Sequence, residues 1–596
     1  MLTKTTQLLS NLLYSDLRQK FRFAIVGGIN TLTAYLAFMA FYELSGRYLV
    51  SSVLSYFIGM LVSYTLNRTF VFNSEKKTGQ FIPFCVVNLT SLSCSTGTLF
   101  LLVHYVGLHV YIGQALAVCV SMAINYLGYK KVFTEGVSMQ NLIQGLYDHQ
   151  GRFDTVRLVQ WLIVAIFAAV SIFNLHLSMS ANIAHDALPY MDGYSEKFVT
   201  EGRWINFALY GVLKELPAFV AASLANLFIF IFAYKVALGV KKDRWLAIAI
   251  ALLVLNIPSF TMLLKWPMTL VPGCFMLALF ACYKDKFNPH LMLLIAGALL
   301  FATYPAFYFL MPLLFVSKLA ESSYPNIIKF LCFWILGYVL GYAVANGLVL
   351  AYTALFTDHA TLIHFVSWRH ETPSNSLTAL LSNIAKSAGN LNYEMQYLAR
   401  LSPLFYIPIA LTYLWALKKH FKYTAIVSIV VISLYASVIP LGVDVPLRSG
   451  VTFPIGMAML LLLIPNKGWR LCVLVSLFIP FSYLMHSYND HYAFNRQIIT
   501  SIFERHDPNH YLHQPQAFDK VIVSVDEEKM TQYMLDKTNS NSFKNPSNLR
   551  YHYIKPYLYQ FGWRNAKIEV VNEPREKIQG EASVKKEGNK LLVSMD

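Results

Sequence analysis

The sequence predicts an all-α polytopic membrane protein of about fifteen transmembrane helices, set out as four plus eleven, with a small α/β extramembrane domain at its C-terminal end. Three observations carry that prediction. Of the 596 residues, 56% are hydrophobic and 13% charged, and apolar runs of about 20 residues, the length that crosses a bilayer as a helix, recur as far as Met485. Lysines and arginines gather in short loops at alternate ends of those runs, which is how topology is written into a membrane protein. Beyond Met485 the chain turns polar, and "FDKVIVSVDEEKMTQYML" reads as a strand and then a helix, with "NAKIEVVNEP" as a further strand.

The same observations exclude several classes. A net charge of +16 suggests nucleic acid, but the basic residues sit where topology needs them and in the polar tail, so no nucleic-acid surface is expected. All seven cysteines lie in apolar segments without CxxC or Cys/His spacing, which argues against a disulfide framework and a zinc site. No G-x-G-x-x-G or P-loop occurs, so no cytosolic nucleotide-sugar chemistry is expected in this chain.

Taken in order, "MLTKTTQLLSNLLYSDLRQK" lacks a signal-peptide cleavage pattern and reads as a basic amphipathic lead-in. Four spans follow at about 21–43, 48–67, 81–105 and 109–129. Lys4, Arg18, Lys20 and Arg22 precede the first, Arg68, Lys76 and Lys77 follow the second, and Lys130 and Lys131 follow the fourth, which places both ends of this block in the cytoplasm. The block repeats itself. "FAIVGGIN" at Phe23 to Asn30 aligns with "FIPFCVVN" at Phe81 to Asn88, and "LNRTFVF" at Leu66 to Phe72 with "LGYKKVF" at Leu127 to Phe133, giving two hairpins of roughly 60 residues each.

Residues 1–136 thus form one unit, 137–157 a cytoplasmic linker, 158–485 a second membrane unit of eleven spans, and 486–596 the extramembrane domain. In the second unit the basic ends at Lys241/Lys242/Arg244, Lys284/Lys286, Lys318, Lys418/Lys419/Lys422 and Lys467/Arg470 fall on one side. The stretch "IAHDALPYMDGYSEKFVTEGRW" (Ile183 to Trp204), the segment from about Thr357 to Arg400, and everything after about His486 then face the other. Around Leu291 to Val316, "ATYPAFYFLMP" is compatible with one kinked span or two short ones.

"RFAIVGGINTLTAYL" (Arg22 to Leu36), "LNRTFVF" and "YKKVF" (Tyr129 to Phe133) make the first block resemble the GtrA-like family of four-span bacterial proteins. That resemblance implies movement of undecaprenyl-phosphate-linked sugar across the inner membrane. The second repeat departs from the pattern, with Gly128 and Tyr129 where the first has Asn67 and Arg68, so any role of the asparagine-arginine pair carries over to Asn67 and Arg68 alone. From about Val156 onward the layout resembles the GT-C glycosyltransferases, and "GRW" at Gly202 to Trp204 is similar to the O-antigen glucosyltransferases. The implied function is a bacterial inner-membrane glycosyltransferase fused to a flippase-like unit. It would pass a sugar, a hexose such as glucose, from undecaprenyl phosphate to O-antigen or a related surface glycan on the periplasmic side. The N-terminus would be cytoplasmic and the C-terminal domain periplasmic.

A transferase working outside the inner membrane must displace a lipid phosphate from the anomeric carbon, and this calls for a base on the acceptor hydroxyl and cations on the departing phosphate. Asp186 is the first candidate base, since it follows the span and precedes an apolar stretch, and Asp192 is the second. The alternative is that both are solvated loop charges or helix caps. Glu196 and Glu201 are expected on the solvated face of the next amphipathic helix. Substrate-binding candidates are Arg203, Lys265 in "LLKWPM", Arg369 and His370 in "SWRHE", Arg448 in "GVDVPLRSG", and Trp204 as a platform for a sugar ring. For Arg203 a snorkelling interface role, for Arg448 an ion pair with Asp444, and for Trp204, Trp266 and Trp368 an interface belt are the competing readings. In the first block Arg22, Asn30, Asn67, Arg68 and Asn88 are polar at or inside span ends, where polar groups are costly, and mark a head-group path. The block's other reading is an accessory anchor.

No cofactor is expected beyond the lipid-phosphate sugar donor, and a divalent metal is compatible with its phosphate. The partners implied are that donor, the glycan acceptor, membrane lipids and a separate cytosolic-face enzyme that charges undecaprenyl phosphate. Readings of another kind are transport of lipid-linked glycan without bond making and polymerisation of glycan at the periplasmic face.

Overall fold

The computed structural model describes residues 19, 21–33, 35–37, 39–40, 48–74, 80–104, 110–134, 155–180, 193–364, 369–504, 507, 509–538, 546, 549–575 and 580–595. The chain forms two compact units, Met1–Val159 and Gln160–Asp596. The linker expected at 137–157 lies mostly outside the described residues.

In the first unit residues 21–33 are helical, followed by α1 (Tyr48–Leu66), a π turn over Asn67–Val71, α2 (Phe81–His104) and α3 (Val110–Thr134). The ends of α2 and α3 meet in an aromatic cluster in which Phe84, Tyr129, Val132 and Phe133 are buried and Phe23, Tyr64, Phe72 and Phe81 pack around them. The departures in the second repeat have a structural reason. A Cβ on Gly128 would lie 2.4 Å from Val87 Cγ1, so glycine is what lets α3 approach α2. Tyr129, in turn, donates its hydroxyl to Asn88 Oδ1 at 2.8 Å, which satisfies an asparagine placed inside a span.

The second unit begins with α4 (Thr155–Ser180), the short α5 (Ser195–Glu201) and α6 (Trp204–Leu213), then α7 (Ala218–Val240), α8 (Arg244–Leu255), α9 (Pro258–Leu263) and α10 (Pro267–Tyr283). The stretch left open around Leu291 to Val316 is two pieces: α11 (Pro289–Phe301), then a 3-10 helix (Pro305–Phe315) leading into α12 (Val316–Glu321). Pro305 and Pro312, which lack the N–H an α-helix requires, account for the break and the tighter winding. α13 (Tyr324–Phe356) packs on α11 through glycines: a Cβ on Gly297 would lie 1.9 Å from Gly337 O, and one on Gly341 would lie 2.3 Å from Gly297 O. This is the close approach a Gly-xxx-Gly face allows. α14 (Leu377–Leu398), α15 (Ile407–Lys419), α16 (Phe421–Ala436), α17 (Thr452–Leu460) and the 38-residue α18 (Lys467–Glu504) complete the helical part.

The basic turns meet one another. Arg470 reaches Asp243, Lys318 pairs with Asp285 at 2.8 Å, and Lys422 donates to Ser322 O at 2.7 Å. Among the described residues four helices are long and apolar enough to cross a membrane: the segment Val159–His176 of α4, then α7, α13 and α18. The pair α14 and Pro403–Lys419, bent by 107°, makes a fifth if it is one span. This is a membrane protein, and fifteen crossings exceed what length and composition establish for these helices.

The far half of α18 carries the C-terminal domain, with Phe503 stacked on Tyr557 at 4.6 Å and Asn495 donating to the Tyr553 hydroxyl at 3.0 Å. The strands expected after Met485 are present. β1 (Lys520–Val525), followed by α19 (Glu527–Thr538), pairs in parallel with β2 (Ile568–Asn572) and β4 (Lys590–Met595), and β3 (Ala582–Glu587) closes the order β2-β1-β4-β3 antiparallel to β4.

Candidate functional site

The break between α5 and α6 builds the site. Gly202 ends α5 with a φ of 71°, a left-handed conformation that favours glycine, and a Cβ there would lie 2.6 Å from Ile363 Cδ1 and 2.9 Å from Ala345 Cβ. The turn brings the two residues flanking the glycine together as an ion pair, Glu201 with Arg203. Glu201 also takes Lys197, one turn earlier on α5, at 3.0 Å, and Arg369 at 3.8 Å. The expectation for Glu201 is corrected: it is 7% exposed, because the three cations surround it and draw it into the protein. Glu196 is exposed, as expected.

Burial by itself raises the Glu201 carboxyl, but Arg203, Lys197 and Arg369 outweigh it and hold the group well below the ordinary carboxylate range. Burial likewise works against the Arg203 charge, yet Glu201 keeps this guanidinium above its usual range, with Tyr194 and Tyr304 adding to the effect. Arg369 is the looser partner, drawn down by burial that Glu201 only partly opposes. Its position is set by the Asp444 N–H, which donates to the Arg369 carbonyl at 3.0 Å.

Below this cluster lies a cavity of about 320 Å³. Glu201, Arg203 and Arg369 are on its lining, and the rest is mainly apolar, with Phe301, Phe309, Tyr338 and Val339 on one flank and Leu434, Val438, Leu441 and Val443 on another. Val339 is 54% exposed on the outer surface of α13, so the cavity wall is also a face the bilayer can reach. A small polar recess adjoins it, lined by Tyr194, Lys197, Trp266, Arg448 and Ser449 together with the same Glu201, Arg203 and Arg369. In it Arg448 stands over the Trp266 ring at 5.2 Å, Arg203 over Tyr304 at 5.1 Å, and Tyr304 shares a 2.9 Å hydrogen bond with Ser449. One anionic group could be met here by several guanidinium groups while an attached apolar chain occupies the cavity.

Of the residues singled out from sequence, Arg203, Arg369 and Arg448 come together here. Asp186 and Asp192 lie outside the described residues, as does Trp368. His370 is exposed and engages Asp444 through Nδ1 at 2.9 Å, away from the cavity lining. Asp444 also pairs with Lys386 at 3.3 Å. Lys265 is fully buried, its ammonium 4.9 Å from the Tyr492 ring and 5.9 Å from that of Tyr488, and it lines neither the cavity nor the recess. Trp204 opens α6, with its indole Nε1 buried and without a hydrogen-bond partner among the described residues.

In the first unit Arg22 donates to Phe70 O at 3.4 Å and lies over the Phe70 ring, and Arg68 lies over Tyr64 at 5.4 Å. Asn67 donates to Ser63 O at 2.8 Å. Among the described residues Asn30 Oδ1, Asn67 Oδ1 and Arg68 Nε are buried without partners, whereas Asn88 is satisfied by Tyr129. Asn125 Oδ1, in the second repeat, is also buried without a partner among the described residues.

Sequence reasoning put Glu201 on a solvated face and missed Lys197, Tyr194 and Tyr304. A signal for the first two was present: Lys197 and Glu201 are four apart on one short helix, and a single glycine separates Glu201 from Arg203. Tyr304 stands just before the Pro305–Phe315 3-10 helix and carried no such signal. Among the described residues no group of three or more His, Cys, Asp or Glu side chains is placed to hold a metal.

Residues 22–134 match the family described as the GtrA/DPMS transmembrane domain. The N-terminal block therefore contains a membrane domain of this type, and the match ends before the second unit begins. No curated protein and no solved structure matches the chain.

Proposed function

We propose that the second unit is a GT-C-type glycosyltransferase that moves a hexose such as glucose from undecaprenyl phosphate to O-antigen or a related surface glycan, and that the GtrA-like block supplies its donor. The observation that carries this reading is the joining of Arg203, Arg369 and Arg448 to an apolar cavity bordered by the exposed flank of α13. A phosphate is met by bidentate guanidinium groups, and an isoprenoid chain by the apolar walls.

In the reaction the acceptor hydroxyl oxygen attacks the anomeric carbon, the bond from that carbon to the phosphate oxygen breaks, and the configuration inverts. The hydroxyl proton passes to a base, and the phosphate leaves as an anion already held by the arginines. Glu201 is a poor base, because a carboxylate held ionised by three cations resists protonation; its work is to orient Arg203 and Arg369. We assign the base to Asp186, with Asp192 as the second candidate. Lys265, His370 and Trp204 line neither the cavity nor the recess, and this reading gives them no part in holding the phosphate.

In the first unit the unmet atoms of Asn30, Asn67 and Arg68, with Arg22 and Asn88 at neighbouring span ends, suit a polar route for a charged head group. The chain would cross a bacterial inner membrane about fifteen times, with its N-terminus cytoplasmic and its C-terminal domain periplasmic. A second reading, transport of lipid-linked glycan without bond making, draws on one observation: among the described residues Glu201 is the single carboxylate on the cavity lining, and it is neutralised. Mass spectrometry of surface glycan from cells with and without the gene separates the two. A hexose increment that appears with the gene supports transfer, and glycan of unchanged composition but altered surface amount supports transport.

A further inference from the structure

α14 is amphipathic in an unusual sense. Successive residues on an α-helix are turned by about 100°, and on α14 this sorts the side chains into three sectors rather than two. Asn383, Lys386, Ser387, Asn390 and Glu394 form a polar sector turned to the protein. Asn383 donates to Thr372 O at 2.6 Å and to Ser374 Oγ at 2.8 Å, Lys386 to His370 O at 2.9 Å and Gly442 O at 2.7 Å, and Ser387 to Tyr435 O at 2.7 Å. Glu394 is buried and accepts from the Tyr435 hydroxyl.

The second sector, Leu377, Leu380, Leu381, Ile384 and Met395, is wholly apolar and exposed, with Leu377 72% and Leu381 56% accessible. The third, Thr378, Ser382, Gly389, Asn392 and Gln396, is polar or small and exposed as well, with exposed Tyr393 at its edge. A helix in water would bury the leucines and leave the lysine and glutamate outside. Here the polar groups hold the protein and the leucines are left out.

Three sectors describe a helix with protein beside it, an apolar medium on one flank and water on another. The rest of the fold agrees. α14 meets the segment Pro403–Lys419 at 107°, and that segment runs down to Lys418 and Lys419 at its other end, so α14 lies across the direction of its neighbour. Leu404, Ile407, Leu411 and Leu414 of that segment are exposed as well, and Leu414 shares an apolar groove with Met395 of α14.

We infer that α14 lies flat in the membrane interface at the end of the unit that carries the site, with Leu377, Leu380, Leu381 and Ile384 immersed among lipid chains. The occupant of this face is the lipid of that leaflet. The polar sector then ties the segment 370–374 and Gly442 to a helix floating at head-group depth, next to the loop that presents Arg369 to the cavity. Membrane depth and the height of the arginine are set by one element.

The test places a fluorescent non-canonical amino acid at Leu381, Ile384, Asn392 or Glu528 of the full chain, reconstituted in phosphatidylcholine nanodiscs. Emission is quenched with lipid carrying a nitroxide near the head group, with lipid carrying it deep in the chain, and with aqueous iodide. At positions 381 and 384 the shallow nitroxide should quench several-fold more than iodide and more than the deep nitroxide, while at 392 and 528 iodide should dominate. Iodide quenching at 381 and 384 equal to that at 528 would overturn the inference by placing this face in water. Stronger quenching by the deep nitroxide would overturn it in favour of a span. Quenching by neither agent would mean that another protein surface, such as a second copy of the chain, covers the leucines. Size-exclusion profiles matching the unsubstituted chain establish that the labelled proteins are folded.

Discussion

Replacing Glu201 with glutamine keeps the shape of the side chain and removes its charge, and the structure sets the size of the effect. Lys197, Arg203 and Arg369 all converge on this carboxylate, and both members of the tight pair, Glu201 and Arg203, are buried. Taking one partner from a buried pair leaves the other charge uncompensated, which costs about 3–5 kcal/mol. The variant should therefore melt several degrees below the unaltered protein in detergent, followed by intrinsic fluorescence. Glu196→Gln, on the exposed side of the same short helix, should change stability by no more than about 0.5 kcal/mol.

The pH dependence has a definite sign. A carboxyl depressed in the folded state contributes its full stabilisation above its unfolded pKa of about 4.3 and loses it as pH falls toward the folded value. The gap between variant and parent should stay level from pH 8 to about pH 5 and narrow only in more acidic buffer. A short-chain polyprenyl phosphate should raise the melting temperature of the variant more than that of the parent, since its phosphate returns the missing negative charge. Equal melting of variant and parent at pH 7 would refute the reasoning, because the carboxylate would then not be holding the cations.

Arg369→Gln should leave melting close to normal, as Arg369 is the most distant of the three cations at 3.8 Å from Glu201, yet weaken binding of polyprenyl phosphate in a fluorescence titration. Loss of a charged hydrogen bond worth about 1.5–3 kcal/mol corresponds to roughly ten- to hundredfold. Asp186→Asn should lower sugar transfer about a hundredfold or more with the protein still inserted, and Asp192→Asn should do less; normal rates in both would remove the base from this loop. Deleting residues up to Val137, or combining Asn67→Ala with Arg68→Ala, should reduce glycan modification in cells but not transfer by purified protein in detergent, where no head group has to cross hydrocarbon. Loss of activity in detergent from a well-folded truncated protein would make the small unit part of the catalytic assembly.

Much of the fold was legible because membrane spans announce themselves through length and the placement of lysine and arginine. The four segments expected as spans in the first block fall close to the helical residues 21–33 and to α1, α2 and α3, and residues 22–134 match a known membrane domain. The strand-helix pattern after Phe518 was readable because a short run rich in valine and isoleucine, bounded by charged and polar residues, marks β1 directly. The site was legible only in part. Arg203, Arg369 and Arg448 stood out as charges at span ends, but nothing local told Lys265 and His370 apart from them. Depth is decided by which helix packs beside the turn: α18 covers Lys265 with Tyr488 and Tyr492, while Asp444 draws His370 outward. Glu201 was read as solvated because periodicity on α5 cannot show that a residue more than 160 positions later in the sequence, Arg369, closes over that face. α14 was hidden for the same reason, since its polar residues look like a solvent face until the partners of Asn383 and Lys386 are known.

The central claim is that the arginine cluster and its cavity serve sugar transfer from a lipid phosphate. The purified full chain in detergent, given a short-chain polyprenyl-phosphate hexose and an oligosaccharide acceptor from the cell surface, tests it by mass spectrometry of the acceptor. The account predicts an increment of one hexose that requires the donor phosphate and is largely lost with Arg203→Gln in protein that remains folded. An unmodified acceptor, together with movement of lipid-linked glycan across proteoliposomes containing the same protein, would contradict it.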